Sequence, residues 1–256
     1  MLPGEIDFMK KISLIAVLLA GVLAGPAPVM AQMMNPGQAA GLNAAMLKLF
    51  GELTAFSSKA TLRTLDKTQK QTMFMPINFA LLDGKVRMDI DLNLLKSAEM
   101  QAEALTMLKQ MGMDKMTTII RPDKKSTLLI SPILQGYAEM PLSKQEADAA
   151  NKKYQSTSTK LGAETIDGHP CEKNRVVVTP EDGKKQEAIV WNAKDLKNFP
   201  IQIQTDQADG AILMNFREIQ FAKPDAKLFD APATYTKYPS ADKMMEGAMM
   251  KMMQKK

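Results

Sequence analysis

The apolar positions of this chain change period as it runs. From Ala39 to Phe56, Leu42, Met46, Leu47, Phe50 and Leu53 recur at helical spacing, which predicts a helix over 39–56. The period then drops to two. Phe56, Ser58, Ala60 and Leu62 alternate with Lys59, Thr61 and Arg63. Met73, Met75, Ile77, Phe79 and Leu81 alternate around Asn78 and Ala80. After Asp83-Gly84, a hairpin signal, Val86, Met88, Ile90 and Leu92 alternate with Lys85, Arg87, Asp89 and Asp91. Such alternation predicts a meander of half-buried strands. Further strand signals cover 117–121, 126–131, 136–141, 154–161, 163–166, 171–178, 186–192, 201–205 and 211–221. Asp167-Gly168, Glu181-Asp182-Gly183, Asn198 to Pro200 and Ala208-Asp209-Gly210 punctuate them. The regular turn spacing predicts one antiparallel sheet, and a short helix over 143–151 is expected from Ser143 and Glu146, a capping-box pair.

A second long helix is predicted from Leu94 to Gly112. Leu94, Leu95, Ala98, Ala102, Leu105 and Leu108 form its core stripe. Beside that stripe lie Met100, Ala104, Met107 and Met111. The apolar arc is wider than docking on one sheet face requires, and it admits two explanations. Either the helix is buried all round, or the leucines dock it while the methionines face an apolar ligand. The chain ends in another methionine pattern. Between Ala241 and Lys256, Ala241, Met245, Ala248, Met249, Met252 and Met253 share one side of a helical wheel, with Lys243, Glu246, Gly247, Lys251 and Gln254 opposite. A basic amphipathic helix of this kind packs on its own domain or meets an anionic membrane surface through Met245, Met249, Met252 and Lys251. Clustered thioethers also suit Cu(I), so copper binding stands as a rival.

The first residues read as a secretory signal peptide spanning 1–31: Lys10-Lys11, the apolar run Ile12 to Ala24, and Val29-Met30-Ala31 before the cut. Glu5 and Asp7 sit where the positive region belongs, which suggests Met9 as the start. Gln32 follows the cut, so no lipid attachment is expected there. The expected organisation is signal peptide, one domain over 32–240, and a tail over 241–256. The location expected from it is the periplasm or the exterior.

Composition narrows the function. Net charge is +5, yet basic and acidic residues are interspersed, so the concentrated basic stripe of a nucleic-acid binder is missing. The chain holds 22 Met and few aromatics, a balance suited to surfaces that adapt to apolar shapes. With one Cys, no internal disulfide forms, and one His beside one Cys is too few nitrogen and sulfur ligands for zinc. His169 and Cys171 invite comparison with a nucleophile and its base, oriented by Asp167. The Asp-Gly turn and Pro170 point instead to a hairpin tip with a small buried thiol. Hence no catalytic residue, metal ligand or cofactor is assigned.

The stretch Gly162-Ala163-Glu164-Thr165-Ile166-Asp167-Gly168-His169-Pro170-Cys171-Glu172-Lys173 resembles the hairpin of an exported bacterial family known as domain of unknown function 4412. Trp191 to Leu196 with Phe199-Pro200-Ile201, and Leu228-Phe229-Asp230-Ala231-Pro232 with Tyr235, are similar to it as well. That family is similar in pattern to the periplasmic lipoprotein-carrier (LolA/LolB-like) superfamily. The resemblance implies an α+β fold: a curved, half-open antiparallel sheet, an unclosed barrel, with helices covering its concave face, here followed by the methionine-rich helix. The function expected is a non-enzymatic envelope carrier for an acyl or lipid-like ligand. A metal-binding stress protein and a structural envelope component are the alternatives.

Overall fold

The computed structural model describes residues 47–98, 102–142, 154–180 and 185–254. All lie in one compact unit, Ala40–Lys256. The signal-peptide region, most of the helix expected over 39–56, the helix expected over 143–151 and the turn at 181–183 fall outside the described residues. What is described is largely β: thirteen strands and two α-helices.

The strands are β1 (Ala55–Asp66), β2 (Gln71–Leu82), β3 (Lys85–Asp91), β4 (Lys96–Ser97), β5 (Lys115–Arg121), β6 (Ser126–Ser131) and β7 (Gly136–Pro141). They continue with β8 (Tyr154–Ile166), β9 (His169–Pro180), β10 (Gln186–Ala193), β11 (Phe199–Gln207), β12 (Gly210–Gln220) and β13 (Thr236–Tyr238). The helices are α1 (Ala102–Gln110) and α2 (Ala241–Gln254). One sheet takes them in the order β13-β7-β6-β5-β3-β2-β1-β12-β11-β10-β9-β8, with β4 joined to β2. Among the described residues β13 and β8 do not meet, so the sheet is unclosed. Every pairing is antiparallel except β13 with β7.

Local chemistry explains the corners. Asp83 and Gly84 have φ of 50° and 80°, and Asp167 and Gly168 have 50° and 87°, the double left-handed geometry of a two-residue hairpin that twists with its strands. Gly210 is required for another reason, since a Cβ there would stand 1.8 Å from the Leu65 carbonyl oxygen. Pro76 lies inside β2, where a missing N–H should break a ladder. It falls between the stretch paired with β3, which ends at Ile77, and the stretch paired with β4, which starts at Phe74.

Two expectations about helices need correction. The chain from Leu92 to Leu94 is a 3-10 turn capped by the Asp91 side chain, and Lys96–Ser97 pairs with Phe74 and Met73 of β2, so the run 92–97 is not part of α1, whose described residues are Ala102–Gln110. Local capping and a free strand edge have captured residues that the wheel assigned to a helix. The expected core stripe dissolves with it: Leu94 is exposed, Leu95 and Leu105 are half-buried, and Leu108 is buried. Likewise the segment before β1 leaves its helical turn at Phe50, because Gly51 adopts φ 62° and ends it before 56.

Candidate functional site

The registers sort side chains onto two faces, since neighbours across a ladder point the same way and successive residues alternate. Leu81 lies opposite Phe56, Phe79 opposite Met88, Met88 opposite Thr118, and Thr118 opposite Leu129. On the far side Leu62 lies opposite both Met75 and Met214. Following these pairs across the sheet brings Met73, Met75, Met88, Met116, Met140 and Met214, all the methionines of the described strands, to one face. Met75, Met88, Met116 and Met214 are buried there, with Ile77, Val86, Ile90 and Leu129 between them.

The middle of this methionine face is filled by aromatic rings. Phe56, Phe79, Phe199 and Phe216 meet Phe50 from the preceding turn, with centroids from 4.9 Å for Phe56 and Phe199 to 6.3 Å for Phe56 and Phe216. Sequence reasoning missed this plug. The phenylalanines lie far apart in the chain, and only the order β2-β1-β12-β11 brings them together.

The opposite face carries Ala80, Leu82, Ile119, Leu128 and Ile130, covered by Phe229 from the segment after β12. Charges rim this patch. Arg87 holds Asp89 and donates to the Leu228 carbonyl oxygen at 2.6 Å. The buried Arg121 bonds Glu139, Ser126 and, at 3.0 Å, Asp230. Lys124 reaches Asp230 at 2.8 Å and Lys237 reaches Glu139 at 2.7 Å. The hydrogen bond from Lys124 holds the Asp230 carboxyl below its ordinary range, and that from Lys237 does the same for Glu139, the same bond and then the Glu139 charge raising Lys237 in turn. These ion pairs clasp a strap, residues 225–238, onto the sheet.

Helix α1 is held differently. Leu108 is its one buried residue, while Ala104 is half-buried and Met107 is 40 % exposed. Its C-terminus is a Schellman motif: Gly112, at φ 69°, donates to the Lys109 carbonyl, and Met113 donates to that of Leu108. Met111 and Met113 are buried in the exit turn, which packs on Ile133 and Leu134 of the β6–β7 connection at Gly112. Of the four residues expected to contact a ligand, Ala104, Met107 and Met111 therefore share this helix and its exit, and Met100 lies outside the described residues.

On α2 the buried stripe is Ala241, Met244 and Ala248, with Met245 half-buried. The wheel placed Met249 and Met253 with that stripe, but they are exposed at 39 % and 61 %, and Met250 is exposed beside them. The side chain of Met252 falls outside the described residues. Gly247 sets how closely the helix approaches, since a Cβ there would meet the Tyr238 ring at 2.9 Å. No described helix is long and apolar enough to cross a membrane.

The His169 and Cys171 pair does not assemble a nucleophile. His169 Nδ1 lies 2.7 Å from Asp195 Oδ2, and Asp167 is engaged by Arg217 through two bonds rather than by the imidazole. The Cys171 thiol is buried, donates to the His169 carbonyl at 3.3 Å, and is pushed up from its ordinary pKa chiefly by burial. A thiol kept protonated is a poor nucleophile. Among the described residues no three His, Cys, Asp or Glu side chains stand together to hold a metal ion.

The family model described as a domain of unknown function, DUF4412, matches residues 72–199, from β2 to the start of β11. The chain belongs to that family. No curated protein matches it. Solved structures similar to it include the lipoprotein LppX of Mycobacterium tuberculosis, at 12% identity and TM-score 0.38, over 68% of this chain and 91% of that one. A LolA superfamily protein of Nitrosomonas europaea is similar at 9% identity and TM-score 0.40, over 74% and 96%. LprF of Mycobacterium bovis is similar at 10% identity and TM-score 0.35, over 83% and 100%.

Proposed function

We propose that this DUF4412 protein is an exported, non-enzymatic carrier of the bacterial envelope that holds an apolar, acyl-like ligand against the methionine face of its sheet. The observation that carries the reading is the one-sidedness of the strand methionines: six thioethers from five strands on one face, with Lys59, Arg63, Arg87, Asp89, Arg121 and Glu139 on the other. Thioether side chains re-pack at small cost, so a face built from them can yield to an alkyl chain and close when it leaves. A helix whose one buried residue is Leu108 is suited to act as the movable cover, with Ala104, Met107 and Met111, and Met100 before them, contacting the ligand. Export rests on the signal-peptide pattern of residues 1–31. The exposed Met249, Met250 and Met253 beside Lys251 support a second contact of α2, with an anionic membrane surface.

Met107→Lys tests the reading. Since Met107 is already 40 % exposed, a lysine there costs little fold stability. A charge at the ligand's edge loses water without gaining a partner, so uptake of a pyrene-tailed alkyl probe should fall about tenfold or more. Full uptake by a variant with unchanged melting temperature removes α1 from the ligand site.

A further inference from the structure

Asp114 stands at the junction of the α1 exit turn and β5, and it is 4 % exposed. Its backbone carbonyl accepts from Leu92 N–H at 2.7 Å, and its Oδ2 accepts from the Asn93 amide at 2.7 Å. Its Oδ1 is buried and has no hydrogen-bond partner. The adjacent Lys115 does not serve it, because that ammonium pairs with Asp91 Oδ2 at 3.5 Å. Among the described residues Asp114 has an amide partner in Asn93 and forms no ion pair with its neighbour Lys115. The surrounding chain is apolar: Met111, Met113, Met116 and Leu92 are all buried.

A buried carboxyl oxygen without a donor is costly, and so is a buried negative charge without a positive one. Both deficits are met by one kind of guest, an amphiphile whose alkyl chain lies among the methionines and whose head donates a hydrogen bond. An ammonium answers the two together, a hydroxyl the first alone, and a carboxylate neither. We infer that Asp114 receives the hydrogen-bond-donating head of the ligand, with long-chain amines preferred over alcohols and alcohols over acids of equal length. The inference rests on the carrier reading and adds the polar end of the molecule carried. Asp114 directly follows the α1 exit turn in the chain, which puts its carboxyl next to the cover proposed above.

Dodecylamine, dodecanol and dodecanoate share one chain and differ only in the head. Competition with the pyrene probe should rank them in that order. Asp114→Asn keeps the shape and the bond to Asn93 but removes the charge, and the advantage of amine over alcohol should shrink about tenfold. Asp91→Asn, which alters an already paired carboxylate nearby, should leave the ranking unchanged. Asn93→Ala frees both Asp114 oxygens and should keep or widen the amine's advantage, which maintains the test if Asp114→Asn folds poorly. Equal binding of all three probes, a ranking that survives Asp114→Asn, or loss of the amine preference in Asn93→Ala overturns the assignment while leaving the carrier intact. Failure of every probe to bind defeats the carrier reading itself.

Discussion

The two faces of the sheet are both apolar at their centres, yet they are closed by opposite means. On the face opposite the methionines, Phe229 seats a strap that Arg87, Arg121, Lys124 and Lys237 fasten by directional bonds to Leu228, Asp230 and Glu139. Such contacts hold one geometry. On the methionine face, five phenylalanine rings pack against one another and thioethers flank them, with no ion pair in that cluster. Nondirectional packing of flexible side chains tolerates several geometries of similar energy. One face is thus fastened by directional polar bonds and the other by side-chain packing alone, the difference on which the proposed function rests.

The sharpest way to break this comparison is to empty each face in turn. Phe216→Ala opens a hole in the plug and should cost about 3–5 kcal/mol of global stability. Phe229→Ala should cost roughly 2 kcal/mol, because the strap can lift locally before the sheet unfolds. Denaturant unfolding of the two variants checks this, and equal losses with unchanged m-values would show that strap and plug form one cooperative unit.

Acid should act on the strap first. The carboxyls of Glu139 and Asp230 titrate lower in the folded protein than in the unfolded chain, so their ion pairs contribute fully above the ordinary carboxylate value of about 4. That contribution is lost as pH falls through the depressed folded values, where the unfolded chain has already taken up protons. Lys237, raised by Glu139, loses its share only as pH climbs through its raised value. NMR signals of the Tyr235 ring, packed against the Phe229 patch, should shift on acidification before the plug phenylalanines respond. Simultaneous change at both places would argue against a separately fastened strap.

The smallest effect is expected from Met75→Leu. Volume is conserved, so stability should change by less than about 1.5 kcal/mol. A leucine cannot follow an irregular guest as methionine does, and the range of alkyl lengths bound should narrow. Titration with a series of chain lengths checks it, and an unaltered range would mean that methionine's flexibility at this position is not used.

Much of the sheet was legible along the chain. Period-two alternation at Phe56 to Leu62, Met73 to Leu81 and Val86 to Ile90, with Asp-Gly at 83–84 and 167–168, locates strands and hairpins because a pleated strand with one buried face requires both signals. Predicted segments 154–161 and 163–166 prove to be one strand, β8, kept continuous by a bulge between Lys160 and Gly162. Strand β13 could not be seen: three residues, Thr236–Tyr238, acquire their structure only from the β7 edge they meet. The same holds for α1, whose wheel was drawn through residues that a 3-10 turn and the edge of β2 claim instead.

By itself the sequence determined the strand periodicity, the hairpin corners, the hairpin-tip reading of Cys171 and the abundance of thioethers, since each depends on residues close together in the chain. The tertiary structure decided which surface those thioethers share, that five phenylalanines plug it, that Asp230 meets Arg121, and that Asp114 keeps one oxygen unpaired. Those outcomes depend on strand order and on partners distant in sequence, and local spacing carries no information about which strand becomes the neighbour of which.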